Sequence, residues 1–237
     1  MFLHGLGDDL RTWDSVWEAM GDGLGALRYD LRGFGKTVCS GVPFRHADDL
    51  LSLLDAAGIQ CCDLVGVSEG GSVAINFTLD HPERVRSLIL VSPGLGAWEW
   101  SQAWQELWQP IVTSARRGDL AEARRLWWEH PLFSTTRASD ARDILFASIM
   151  RFSGRQWIRD YQEPQLPDLE RLHLLKTRTL LLTGGQDLDE FRLIADLLEA
   201  SVNNLQRIDY PVRGHLLHLE DPAECARKIG AFLAKSE

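Results

Sequence analysis

No stretch of this chain approaches the roughly 20 consecutive apolar residues of a membrane-spanning helix. The opening Met1-Phe2-Leu3-His4-Gly5 has neither the basic residues nor the apolar core of a signal peptide. A cytoplasmic protein is expected. Positive charge is also short, with 25 Lys and Arg against 34 Asp and Glu, a net charge of -9 and a pI near 5.3. That balance disfavours nucleic acid or an anionic membrane surface as the main partner, because both are bound through a basic face. Cysteine is scarce: Cys39, Cys61, Cys62 and Cys225 contain no C-x-x-C spacing, so reduced thiols are expected rather than a disulfide or metal framework. Internal repeats and low-complexity segments are absent as well.

What the chain does have is 237 residues, 45% of them hydrophobic, enough for one large domain with a doubly covered sheet. Its strongest local signal is Val65-Gly66-Val67-Ser68-Glu69-Gly70-Gly71. An apolar run leads into it and a helix-like run from Ser72 to Leu79 follows. Glycines two residues to either side of a serine fit a turn in which a side chain at position 66 or 70 would collide with neighbouring backbone. The serine then takes a strained conformation with φ > 0 that lifts its hydroxyl clear of the sheet edge. Alone, the same pattern also suits a glycine-rich turn with an incidental serine, or a phosphate cradle.

In chain order, Met1 to His4 reads as a strand and Thr12 to Met20 as a helix, followed by a short strand from Ala26 to Tyr29. Phe44 to Ala57 has the spacing of an amphipathic helix closed by Gly58. Leu64 to Val67 and Ser87 to Val91 are continuous apolar runs of the kind that strands buried on both faces require. Strands alternating with helices point to a mostly parallel sheet. Beyond Pro93 this pattern breaks. No clear strand is read as far as Asp168, and seven of the nine tryptophans lie between Trp98 and Trp157. Helices are expected over Gln102 to Arg117, Asp119 to Glu129 and Ser139 to Phe152, read as a helical insertion over a pocket in preference to a helical half of the core with packed tryptophans. Sheet character returns at Thr179 to Thr183 and at Leu205 to Tyr210. Helices are expected from Asp189 to Ala200 and from Pro222 to Ala234.

A serine hydroxyl needs a base, and the base needs an acid that holds its tautomer. Loops at the C-terminal ends of parallel strands share one edge. Asp187 follows one such strand and His215 the next, so both are placed to converge on Ser68. Asp189 is the competing acid. His215 and His218 also form an H-x-x-H pair, but no Glu or Cys cluster supplies a third metal ligand; His218 reads better as a packing histidine. His46, His81, His130 and His173 read as ordinary polar residues.

The order Ser68, Asp187, His215 resembles that of the α/β-hydrolase superfamily. His4-Gly5, the Asp30-Leu31-Arg32-Gly33-Phe34-Gly35 loop, the elbow at Gly66 to Gly71, His81-Pro82-Glu83-Arg84-Val85, Gly184-Gly185-Gln186-Asp187 and Gly214-His215 stand in the same order as in those proteins. The resemblance implies an α/β-hydrolase core over residues 1–93 and 169–237, a helical cap over 94–168, and no cofactor or metal. It implies Ser68 as nucleophile, His215 as base then acid, Asp187 as the orienting carboxylate, and the amides of Leu6 and Glu69 as oxyanion hole. Asp30 and Arg32 would be structural.

This chain departs from the pattern in two respects. The strands that usually precede the His-Gly strand are not in this sequence, so either the true start lies upstream or the sheet is expected to have lost an edge and to expose another, with a homodimer left open. Glu69 sets a carboxylate beside the nucleophile, where it opposes an oxyanion unless it points away or meets a cation such as Arg213. The expected function is a serine hydrolase that cleaves an ester or lactone of a bulky apolar or aromatic small molecule through an acyl-enzyme on Ser68. The alternatives are a carbon–carbon bond hydrolase of the same fold and a noncatalytic ligand-binding or inactive relative. A dehalogenase would carry aspartate at position 68.

Overall fold

A computed structural model describes residues 1–21, 23, 25–163 and 166–234. Positions 164 and 165 of the expected 94–168 insertion, and 235–237 of the expected 169–237 segment, lie outside the described residues. Five strands, β1 (Phe2–Leu3), β2 (Cys62–Val67), β3 (Val85–Val91), β4 (Arg178–Gly184) and β5 (Leu205–Tyr210), form one parallel sheet in that spatial order. The expected strand at 26–29 is reduced to a single parallel bridge between Arg28 and Phe2, on the outer side of β1. Only two residues of β1 are extended enough to pair, so its neighbour has little to pair with.

Alternation along the strands fills two cores. Val65, Val67, Ile89, Val91, Leu180 and Leu182 face one way, with Trp13, Val16, Ile229 and Phe232. Leu64, Leu88, Leu90 and Leu181 face the other, with Leu50, Leu54, Val73, Ile75, Ile194 and Leu198. This is why these runs read as continuously apolar: both faces of β2, β3 and β4 are covered. Each fully buried aliphatic side chain contributes about 1.5–3 kcal/mol.

The first core is covered by α1 (Asp14–Met20), preceded by a 3-10 turn at Leu10–Trp13, and by the last helix of the chain. The second is covered by α2 (His46–Ala56), α3 (Glu69–Asp80) and a helix beyond β4. Between β3 and β4 the chain folds into α4 (Gln102–Arg116), α5 (Leu120–Glu129), α6 (Ser134–Arg137), α7 (Arg142–Arg151) and α8 (Arg155–Ile158). Trp104, Ile111, Trp127, Phe133, Leu145, Ile149 and Trp157 are buried there, continuous with the second core. The chain ends with α9 (Asp189–Ser201), α10 (Leu217–Glu220) and α11 (Pro222–Leu233).

All strands point the same way, so the turns after β1, β2, β4 and β5 meet on one edge. From β1 the chain crosses outward to Arg28 and then returns inward to β2. Ligand crevices form where the strand order reverses in this way.

Candidate active site

The turn after β2 is dictated by close approach. A Cβ on Gly66 would sit 2.3 Å from the Gly70 carbonyl oxygen, and one on Gly70 would sit 2.5 Å from the carbonyl oxygens of Leu3 and His4. The chain therefore passes directly from strand to helix with Ser68 at φ 53°, ψ −117°. Positive φ on a non-glycine residue costs energy that the surrounding packing must hold. Here the Ser68 amide donates to Val91 O at 3.1 Å, and its carbonyl accepts from Gly94 N at 2.9 Å and Ser72 N at 3.0 Å.

The turn after β1 lies against this serine: a Cβ on Gly5 would be 3.2 Å from Ser68 Cβ and 3.8 Å from Oγ. His4 anchors that turn. Its Nδ1–H donates to Gly5 O at 2.9 Å, and its Nε2 accepts the Leu31 amide at 2.9 Å. Asp30 accepts the amides of Leu10 and Lys36, each at 2.8 Å, and Arg32 pairs with Asp49 through Nε at 2.7 Å. Both residues brace the loop, away from the serine.

The turn after β4 interlocks with the one after β5. Gln186 N donates to Arg213 O at 2.9 Å, and a Cβ on Gly184 would sit 2.1 Å from Gly214 O. This juxtaposition brings Asp187 to His215. Its Oδ2 accepts from His215 Nδ1 at 2.9 Å, with both side chains almost wholly buried. A carboxylate only accepts, so the neutral imidazole carries its proton on Nδ1 and presents Nε2 as a base. That Nε2 is buried and has no hydrogen-bond partner, Ser68 Oγ included. Such bonds often close only with substrate present. Asp189 is excluded as the acid, being almost fully exposed and paired with Arg192.

Ser68, His215, Leu6 and Glu69 all line one cavity of about 190 Å³. Glu69 is the first residue of α3, so its N–H belongs to the set left without an intrahelical acceptor. The wall is mainly aromatic and aliphatic, with Trp100, Trp104, Trp127, Phe133 and Phe191 among its residues. Trp100 and Trp104 stack at 4.3 Å, and Phe191 lies 4.1 Å from the His215 ring.

Two histidines differ from expectation. His46 and His130 are buried rather than ordinary surface polar groups, and burial lowers the pKa of each to about 4. His130 packs against Trp104 and Trp127. His218 is buried against Trp13, with Nε2 2.7 Å from Thr12 Oγ1. Among the described residues no group of three or more His, Cys, Asp or Glu is placed to hold a metal. The four cysteines are free. No helix of the described residues is long and apolar enough to cross a membrane.

Glu69 does not meet Arg213, which pairs with Asp221 at 2.9 Å. Burial, and then the charge of Asp160, push the Glu69 carboxyl up to about 8. Sequence reasoning also passed over Asp8. It lines the same cavity and takes hydrogen bonds from Ser148 Oγ at 2.5 Å and Asp9 N at 2.9 Å, while burial raises its pKa. The only signal was its place in a loop on the ligand-binding edge.

Comparison with known proteins agrees with this architecture. The model of the alpha/beta hydrolase family matches residues 1–228. The chain is 29% identical over 240 residues to a 2-succinyl-6-hydroxy-2,4-cyclohexadiene-1-carboxylate synthase of Enterobacter sp. (strain 638), covering 98% of this chain and 90% of the relative. MenH from S. aureus superposes with a TM-score of 0.83 at 23% identity, over 99% of this chain and 92% of that one. The enol-lactonase from Burkholderia xenovorans LB400 gives 0.82 at 19% identity, over 98% and 90%.

Proposed function

For a chain that belongs to the alpha/beta hydrolase family, we propose the activity of a serine hydrolase that cleaves an ester or lactone of a bulky apolar or aromatic small molecule. Ser68 Oγ attacks the acyl carbon while His215 Nε2 takes its proton. The oxyanion forms against the amides of Leu6 and Glu69. Its collapse expels the alkoxide, which receives the proton from His215. A water, deprotonated by the same nitrogen, then releases the acid and restores Ser68. One oxyanion donor is worth about 2.7–4 kcal/mol of barrier.

The observation that carries this reading is the His215–Asp187 pair, whose unpartnered Nε2 belongs to a residue lining the same cavity as a serine held at φ 53°. The aromatic wall supports an apolar substrate. We assign residues 94–168 the role of a cap over it. The synthase relative is named for a carboxylate product. Among the described residues none that lines this cavity is Lys or Arg, so that activity is not carried over.

Hydrolysis of short and medium p-nitrophenyl esters beside Ser68→Ala, with labelling by a serine-directed phosphonate, tests the proposal. Turnover and labelling that both vanish in the variant are expected. Equal background from two folded proteins would overturn it, and ligand binding without labelling would favour a noncatalytic relative.

A further inference from the structure

An oxyanion site calls for donors and positive charge, and this cavity is instead lined by two carboxyl groups. Glu69 follows the nucleophile directly, and its Oε2 is buried with no hydrogen-bond partner. Among the described residues, the charge that acts on it from outside the cavity is a third carboxyl, that of Asp160. Asp8 is the second lining carboxyl. Its Oδ1 is already held by Ser148 and Asp9, which fixes the group in place. Arg213, the cation expected to meet Glu69, is committed to Asp221. The same cavity is lined by Trp100, Trp104, Trp127 and Phe191, whose ring faces are able to attract organic cations. A buried oxygen with no hydrogen-bond partner, a second carboxyl and aromatic walls share one missing counterpart, a positive group on the ligand.

We propose that Glu69, assisted by Asp8, forms a cation subsite that selects substrates bearing a protonated or quaternary amine close to the scissile carbonyl. This deepens the serine hydrolase reading and rests on it. The ammonium donates to Glu69 Oε2, whose carboxyl proton passes to solvent as the pair forms, and it supplies the positive charge that the protein withholds from the oxyanion. An anionic substrate brings no cation to that acceptor and is disfavoured.

The test compares isosteres, so that size cancels. On the acyl side, methyl 4-aminobutanoate is set beside methyl pentanoate and monomethyl glutarate. On the alcohol side, butanoylcholine is set beside 3,3-dimethylbutyl butanoate. Proton release gives kcat/KM for each. A preference of at least about tenfold for the amine over its neutral isostere in one arm is expected, with the anionic ester slowest. In Glu69→Gln that ratio should fall about tenfold; a ratio between two substrates in one variant is insensitive to a general loss at the helix start. Asp8→Asn carries the same comparison where Glu69→Gln does not fold. Neutral esters preferred in both arms, or a ratio unchanged in the variant, would overturn the subsite. If no ester is hydrolysed, the hydrolase reading fails instead. Calorimetric titration with 4-aminobutanamide against pentanamide then decides the subsite: amine-dependent binding lost in Glu69→Gln supports it, and equal or absent binding of both overturns it.

Discussion

Gly70 has no room for any side chain, because a Cβ there would lie 2.5 Å from two backbone oxygens of the β1 end. Gly70→Ala must push β1 away from the elbow. A loss of about 2–4 kcal/mol in urea unfolding is expected, together with loss of esterase activity. Glu69 makes the opposite prediction for stability. Its folded pKa, pushed up to about 8 chiefly by burial, lies above that of an unfolded glutamate near 4.5. Between those pH values the unfolded chain has released a proton that the folded chain keeps, so stability falls as pH rises through this window. Glu69→Gln is therefore expected to melt at a similar temperature to the parent at pH 4 and higher than the parent at pH 8. For the acid of the triad, Asp187→Asn should lower kcat about 10³–10⁴-fold, whereas Asp189→Asn, altering an exposed side chain, should leave it unchanged. The pairing of Asp187 with His215 was foreseeable from the order of strand ends. The burial of the Glu69 carboxyl was not, because it depends on segments far away in sequence.

Two carboxylates tie the elements between β3 and β4 to the sheet. Glu190, at the start of α9, accepts from Trp98 Nε1 and Ser101 N, each at 2.9 Å. Glu220, ending α10, accepts from Thr135 and Thr136 hydroxyls at 2.7 and 2.6 Å with one oxygen, and from Gly214 N at 2.9 Å with the other. The second clamp joins α6 to the loop that carries His215. Glu220→Ala should cost about 1–3 kcal/mol in denaturant unfolding and lower kcat more than it raises KM, because His215 loses its brace. Neither clamp is visible in the sequence, since each joins polar residues with no periodic pattern. The long helices and inner strands were legible to within a few residues, because periodicity and continuous apolar runs report burial directly. One-turn helices such as α6, α8 and α10 are too short to show a period.

At the scale of the molecule, protonation sets an acid limit. His46 and His130 have pKa values lowered to about 4, and His218 to about 3, burial being the first cause in each. Each is neutral when folded and binds a proton near pH 6.5 when unfolded. Stability is thus complete above about 6.5 and is lost as pH falls toward 4. Opposed by Glu69 on the alkaline side, these groups place the maximum of a melting-temperature profile near pH 6.5, and Glu69→Gln should move it upward. The doubly covered parallel sheet followed from strand and helix alternation. The reduction of the strand at 26–29 to one bridge did not, because it reflects how short its partner β1 is.

The tryptophan wall has an optical consequence. Trp100 and Trp104 stack at 4.3 Å with a 22° interplanar angle, and Trp108 and Trp127 continue the row at 6.4 and 5.7 Å. Indoles this close share their excited states. Of the row, Trp100, Trp104 and Trp127 line the cavity with Ser68, so a coupled circular dichroism band and an emission that change when the cavity is occupied are expected.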